Sequence, residues 1–213
     1  MTVANAISTR FEQLSNIDDL KEVIKYHSEA LQLCPQLNRY YSLKHLANAM
    51  RTYFEYQEGD LEGMVLAIQY HRDALQLCTL GHPNRFSALL DLSNSLQRRG
   101  YAADLEEAIE LNREALEFCP IGHPHRSVSL GSLAKAISAC FDRQGRQSDI
   151  TDLQEAINYY REALGCLPPQ HPLRTTHARG LAMAYKASCT PLSWSKVSCA
   201  HHSWSMDCTS RYE

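Results

Sequence analysis

The sequence predicts an all-α fold, a right-handed solenoid of antiparallel helix pairs with about nine helices, and three observations predict it. First, the segment from Asp104 to Pro120 recurs in weaker copies anchored at Ala30-Leu31, Ala74-Leu75, Ala115-Leu116 and Ala163-Leu164. The steps between anchors are 44, 41 and 48 residues, the range of helical repeats. Second, apolar and small residues within each copy fall on one face of a helix of 3.6 residues per turn. Third, Gly81-His82-Pro83, Gly122-His123-Pro124 and Gln170-His171-Pro172 punctuate the copies at matching places. Proline there ends one helix and presets the next, and glycine supplies a C-terminal turn.

In chain order, Val3, Ala4 and Ile7 hold the stripe of a truncated leading helix, followed by Arg10-Phe11. The second helix of each pair, here the B helix, is expected near 18–34, 61–78, 103–119 and 149–167. Its seam alternates large residues with alanine, as in Leu20, Val23, Ile24, Ala30, Leu31 and Cys34, so that neighbours approach closely without voids. The later copies place Ala67 and Ala74, Ala108 and Ala115, and Ala156 and Ala163 at the same points. The first helix of each pair, the A helix, carries Leu43, Leu46, Ala47 and Met50, then Leu89, Leu92, Ser93 and Leu96. The next two carry Leu130, Leu133, Ala134 and Ile137, then Ala178, Leu181, Ala182 and Tyr185. The second A helix is shorter by about one turn before Gly100, which keeps its face in register. Extra residues around Arg146-Gln147-Ser148 fall in a turn, where insertion costs little. The array spans 1–188, and 189–213, rich in Ser, Cys, His and Trp without period, is expected to be disordered. A start inside an A helix and a break after Lys186 read as a truncated array, open to self-association at its uncapped ends.

Composition narrows the function classes. Charged residues at 21%, hydrophobic ones at 44% and a net charge of -3 fit a soluble folded chain without a general pull toward nucleic acid or anionic membrane. No signal-peptide pattern and no apolar run of membrane length is present, so the expected compartment is the cytoplasm. Of the eight cysteines, Cys34, Cys78 and Cys119 share one repeat position, which predicts reduced thiols facing the core rather than disulfides. His82, His123 and His171 likewise recur once per repeat and are expected to shape turns. No GxxxxGK[ST] loop and no nucleophile–base constellation occurs, and Glu106-Glu107 at a helix start suits the helix dipole. No enzyme activity and no cofactor are therefore expected. Cys189, Cys199, His201, His202 and Cys208 include zinc-type ligands, but their spacing fits no finger pattern and no metal site is expected.

These positions resemble the tetratricopeptide repeat of the longer type, roughly 42–45 residues, found in kinesin light chains. Leu130, Leu133-Ala134 and Ile137 stand at its helix A positions, Ala108 and Ala115 are its two helix B alanines, and Pro120 is its closing proline. Arg113-Glu114-Ala115-Leu116 and Gly122-His123-Pro124-His125-Arg126 are similar to arrays in fungal proteins that carry a caspase-like CHAT domain or a nucleotide-binding domain elsewhere. The resemblance implies a protein-interaction scaffold, or alternatively the sensor arm of such a longer effector.

It further implies a concave surface lined by the A helices at fixed offsets from the small stripe residue. Those offsets select Lys44, Asn48 and Arg51 on the first full A helix and Asn94, Gln97 and Arg98 on the second. They select Lys135 on the third, then Arg179 and Lys186 on the fourth. Basic and amide side chains predominate and no acid falls at those offsets, so an acidic peptide or protein segment is the expected partner. Lys44, Asn48 and Asn94 resemble part of the two-carboxylate clamp of chaperone-binding arrays, but Val128 and Ser132 stand where that clamp needs basic residues.

Overall fold

The computed structural model describes residues 7, 9–11, 16–33, 38–57, 61–144 and 150–189. Eight helices follow one another: α1 (Ile17–Leu33), α2 (Arg39–Gln57), α3 (Leu61–Leu77), α4 (Arg85–Arg99), α5 (Ala102–Glu117), α6 (Arg126–Gln144), α7 (Ile150–Gly165) and α8 (Leu173–Ser188). Residue 7 and residues 9–11 are helical as well, and no strand occurs among the described residues. B helices α1, α3, α5 and α7 lie within two residues of the expected bounds. Val3, Ala4, Cys34, Arg146-Gln147-Ser148 and the stretch 190–213 fall outside the described residues. Among the described residues, no helix is long and apolar enough to cross a membrane.

Each helix packs on the next, and A helices of successive repeats also meet: α2 with α4, α4 with α6 and α6 with α8. No pair of B helices meets to that extent, so the A helices occupy the inner, tighter side of the curve. The seam carries the packing. Ala67, Ala108, Ala115, Ala156 and Ala163 are all fully buried, as are Leu89, Leu130 and Leu133 on the A side. Ser93 shows how close the approach is, because its Oγ donates to the Ala108 carbonyl across the α4–α5 interface at 3.3 Å. Cys78 and Cys119 are fully buried free thiols of the core, and Cys140, Cys166 and Cys189 are also unpaired.

Two stripe expectations fail at the ends of the array. Ala30 is exposed. On α8, Ala178 and Ala182 are exposed and Leu181 and Tyr185 half-buried, since no described B helix lies against that face.

The turns repeat one hydrogen-bond design. His82, His123 and His171 each accept on Nδ1 the backbone N–H two residues ahead, at 3.1, 3.2 and 3.2 Å. Gly81 and Gly122 precede the first two at φ 86° and 89°, conformations that favour glycine. Three residues after each histidine stands an arginine that staples the turn. Arg85 Nη1 donates to the Cys78 carbonyl at 2.7 Å and Arg126 Nη1 to the Cys119 carbonyl at 2.6 Å, satisfying the open C-terminal ends of α3 and α5. The same guanidinium groups reach forward to the next B helix, Arg85 to Glu114 and Arg126 to Glu162. Arg174 repeats the backward half, donating to the Leu164 and Leu167 carbonyls at 2.8 and 2.9 Å.

Acidic residues at the B-helix starts do more than answer the dipole. Asp19 and Asp104 are buried and held by bidentate bonds from Arg10 and Arg99 at the preceding A-helix ends. Glu107 bridges to Arg72 on α3 at 2.6 Å, and Glu106 accepts from Gln144 on α6 at 3.3 Å.

A polar residue recurs inside the B-helix seam, seven positions after its first large residue: His27, His71, Asn112 and Tyr160, all buried. His27, Asn112 and Tyr160 face the A helix that follows. His27 stacks on His45 at 5.4 Å, Asn112 donates to the Ser132 carbonyl at 3.3 Å, and Tyr160 fills the space that a side chain at Gly180 would take. His71 is 1% exposed, its Nε2 lacks a partner, and burial pushes its pKa down to about 4. Asp91 opposes that shift, while Arg51 and Lys44 add to it. His27, His45 and His177 are lowered too, chiefly by desolvation. A histidine depressed in the folded state contributes stability above its unfolded pKa near 6.5, lost as pH falls toward the folded value. From pH 6.5 to 4, His71 alone is expected to account for about 3 kcal/mol of acid destabilisation. Urea midpoints across that window should flatten in His71→Asn, which copies the third repeat; an unchanged pH slope would contradict the assignment.

Candidate functional site

The inner face is built by α2, α4 and α6, whose stripes turn the intervening positions toward the concavity. There the structure draws three of the expected residues into one cluster. Arg51 on α2 donates from Nη1 to Glu55 Oε1 at 2.7 Å, one turn along its own helix, and Arg98 on α4 reaches the same oxygen at 3.1 Å. Lys135 on α6 is exposed at the edge of this group. Its pKa is lowered first by desolvation, then by repulsion from Arg98 and Arg51, which Glu55 offsets in part. Two cations from successive A helices therefore share one carboxylate, and the Lys135 ammonium of the third lies within their field.

Lys44 behaves differently. Its Nζ pairs with Asp91 at 2.9 Å and donates to Ser87 Oγ, both on α4, so its charge is already answered. Glu55 and Asp91 correct the expectation that the face holds no acid. Neither lies at an offset taken from the repeat pattern: Asp91 is two residues before Ser93, and Glu55 eight residues after Ala47.

The remaining expected residues divide in two. Asn48 lines a cleft of about 240 Å³ together with Phe11, Leu20, His27 and His45, and Thr52 Oγ1 donates to its carbonyl at 2.9 Å. Gln97 donates from Nε2 to Ser93 Oγ at 3.1 Å, and Asn94 is half-buried beside it on α4. Arg179 and Lys186 are exposed on α8, a repeat beyond Lys135.

One repeat position ties the face together. Arg51, Gln97 and Ser138 occupy the same place on α2, α4 and α6, and each leaves a buried polar atom without a partner: Nε, Oε1 and Oγ. Such atoms cost about 1–3 kcal/mol each when unmade. Among the described residues no group of three His, Cys, Asp or Glu side chains is placed to hold a metal ion.

No family model matches the chain, and no curated protein matches it. Solved structures do. A crystal structure of nearly identical TPR-like repeats from a Podosopora anserina putative kinesin light chain superposes with a TM-score of 0.60 at 20% identity, covering 91% of this chain and 89% of that one. A single-substitution variant of the same repeats gives a TM-score of 0.60 at 20% identity, covering 91% and 88%. The fold is accordingly a TPR-like α-solenoid.

Proposed function

We propose that the chain is a non-catalytic interaction scaffold whose concave face takes an acidic peptide or protein segment. The observation that carries this reading is the excess of cations at Arg51, Arg98 and Lys135 over the one carboxylate of Glu55. The Lys135 pKa is lowered first by desolvation and then by Arg98 and Arg51, and an incoming carboxylate relieves the repulsive part.

The pairing pattern makes the test selective. Binding of a labelled Asp/Glu-rich peptide, followed by fluorescence anisotropy, is expected to fall about tenfold or more when Arg98 and Lys135 are both replaced by glutamate. Lys44→Glu should change it far less, because Asp91 already holds that ammonium. Affinity should also drop steeply with added salt. Equal affinity in the Arg98/Lys135 double variant, or a larger loss from Lys44→Glu, would overturn the proposal.

A further inference from the structure

We infer that Glu55 sets the affinity of the concave site, holding in the free protein the place on Arg51 and Arg98 that a ligand carboxylate takes over. The inference rests on the acidic-segment reading above and adds to it a competitor built into the site itself.

Local helix energetics do not account for a glutamate at this position. Glu55 lies in the last turn of α2, where the negative end of the helix dipole disfavours a carboxylate. Arg51 precedes it by one turn, and cation before anion is the weaker order of an i,i+4 pair. What Glu55 gains instead is two guanidinium groups. Its Oε1 accepts from Arg51 Nη1 at 2.7 Å and lies 3.1 Å from Arg98 Nε, which α4 brings in from the next repeat. The same carboxylate favours the Lys135 ammonium of α6 against both arginines, so its charge acts on all three cations.

The grip is of an exchangeable kind. Asp104, a structural carboxylate at the start of α5, has a side chain 6% exposed and takes two branches of the Arg99 guanidinium, one on each oxygen. Glu55 meets both of its arginines through one oxygen, its side chain is 28% exposed and that of Arg98 is 51% exposed. Ion pairs with that much access to water are weak, and the glutamate has solvent to turn into. An acidic ligand therefore exchanges its carboxylate for that of Glu55, and each binding event has to break the internal pairs first.

The test measures binding of the labelled Asp/Glu-rich peptide to the whole chain by fluorescence anisotropy. Glu55→Gln keeps the side-chain length and an oxygen for Arg51 while removing the competing charge. It is expected to bind the peptide about tenfold more tightly than the unsubstituted chain, with a steeper loss on adding salt. Glu117→Gln makes the same change in net charge at an exposed site on the C-terminal end of α5 and is expected to stay within about twofold. In an Arg98→Gln background the gain from Glu55→Gln should shrink to about threefold or less, because the two residues act on the ligand as a pair. If the unsubstituted chain binds and Glu55→Gln binds equally or more weakly, Glu55 organises the arginines rather than competing for them, and the inference alone is overturned. An equal gain from Glu117→Gln overturns it as well, by assigning the effect to net charge. No binding by either the unsubstituted or the Glu55→Gln chain removes the acidic-segment reading and this inference with it.

Discussion

Gly131→Leu is expected to detach α8 from the array. A Cβ at Gly131 would overlap Cε1 and Nδ1 of the His177 ring. That ring is 5% exposed, shares a hydrogen bond of 3.1 Å with Ser127 Oγ and lies 6.5 Å from the Tyr160 ring, so it has nowhere to retreat within the packed interface. Overpacking a tight site costs typically about 1–3 kcal/mol and more when backbone must move, and a leucyl side chain here also breaks the buried Ser127 bond. The loss should stay local, because each repeat of a solenoid touches only its neighbours. Hydrogen exchange should accelerate across Leu173–Ser188 while α4 and α5 keep their protection. Gly131→Leu with unchanged exchange in α8 would mean that helix does not pack as described.

Arg126→Ala is expected to lower stability by about 2–3 kcal/mol, the sum of charge-assisted hydrogen bonds to one carbonyl and one carboxylate. Its guanidinium is 16% exposed and joins three helices, taking the Cys119 carbonyl that ends α5 and Glu162 on α7 while anchored in α6. Lysine restores the charge but not the fork, so Arg126→Lys should recover only part of the loss. Arg174→Ala offers an internal comparison: it lacks the forward carboxylate and should cost less. Urea midpoints that placed Arg174→Ala above Arg126→Ala in cost would refute the staple as drawn.

The array and its seam were readable from the residues because burial repeats. Alanines at fixed distances, a proline after each turn histidine and large residues on one helical face each leave a periodic mark, and the packed positions of α2 to α7 follow it. The buried polar residue of the B seam was also legible in principle: His27, His71, Asn112 and Tyr160 stand at one spacing inside an otherwise apolar stripe. The pairing on the concave face was not. Whether Glu55 meets Arg98, or Asp91 meets Lys44, depends on the offset between adjacent repeats, which no single helix encodes. The turn arginines had a visible spacing, since Arg85, Arg126 and Arg174 each follow a His-Pro pair, but their forward partners lie 29 and 36 residues away. At the ends the pattern misleads for a physical reason: Ala30 and Ala182 carry the seam sequence, and burial needs a neighbour as well as a sequence.

The central claim is that the cluster on α2, α4 and α6 holds unanswered positive charge for an acidic segment. The most direct measurement is an NMR titration of the Lys135 side chain in the free protein and with a saturating Asp/Glu-rich peptide. The account predicts a Lys135 pKa below the ordinary lysine value in the free protein, restored upward when the peptide is bound. An ordinary value that the peptide leaves unmoved would contradict it.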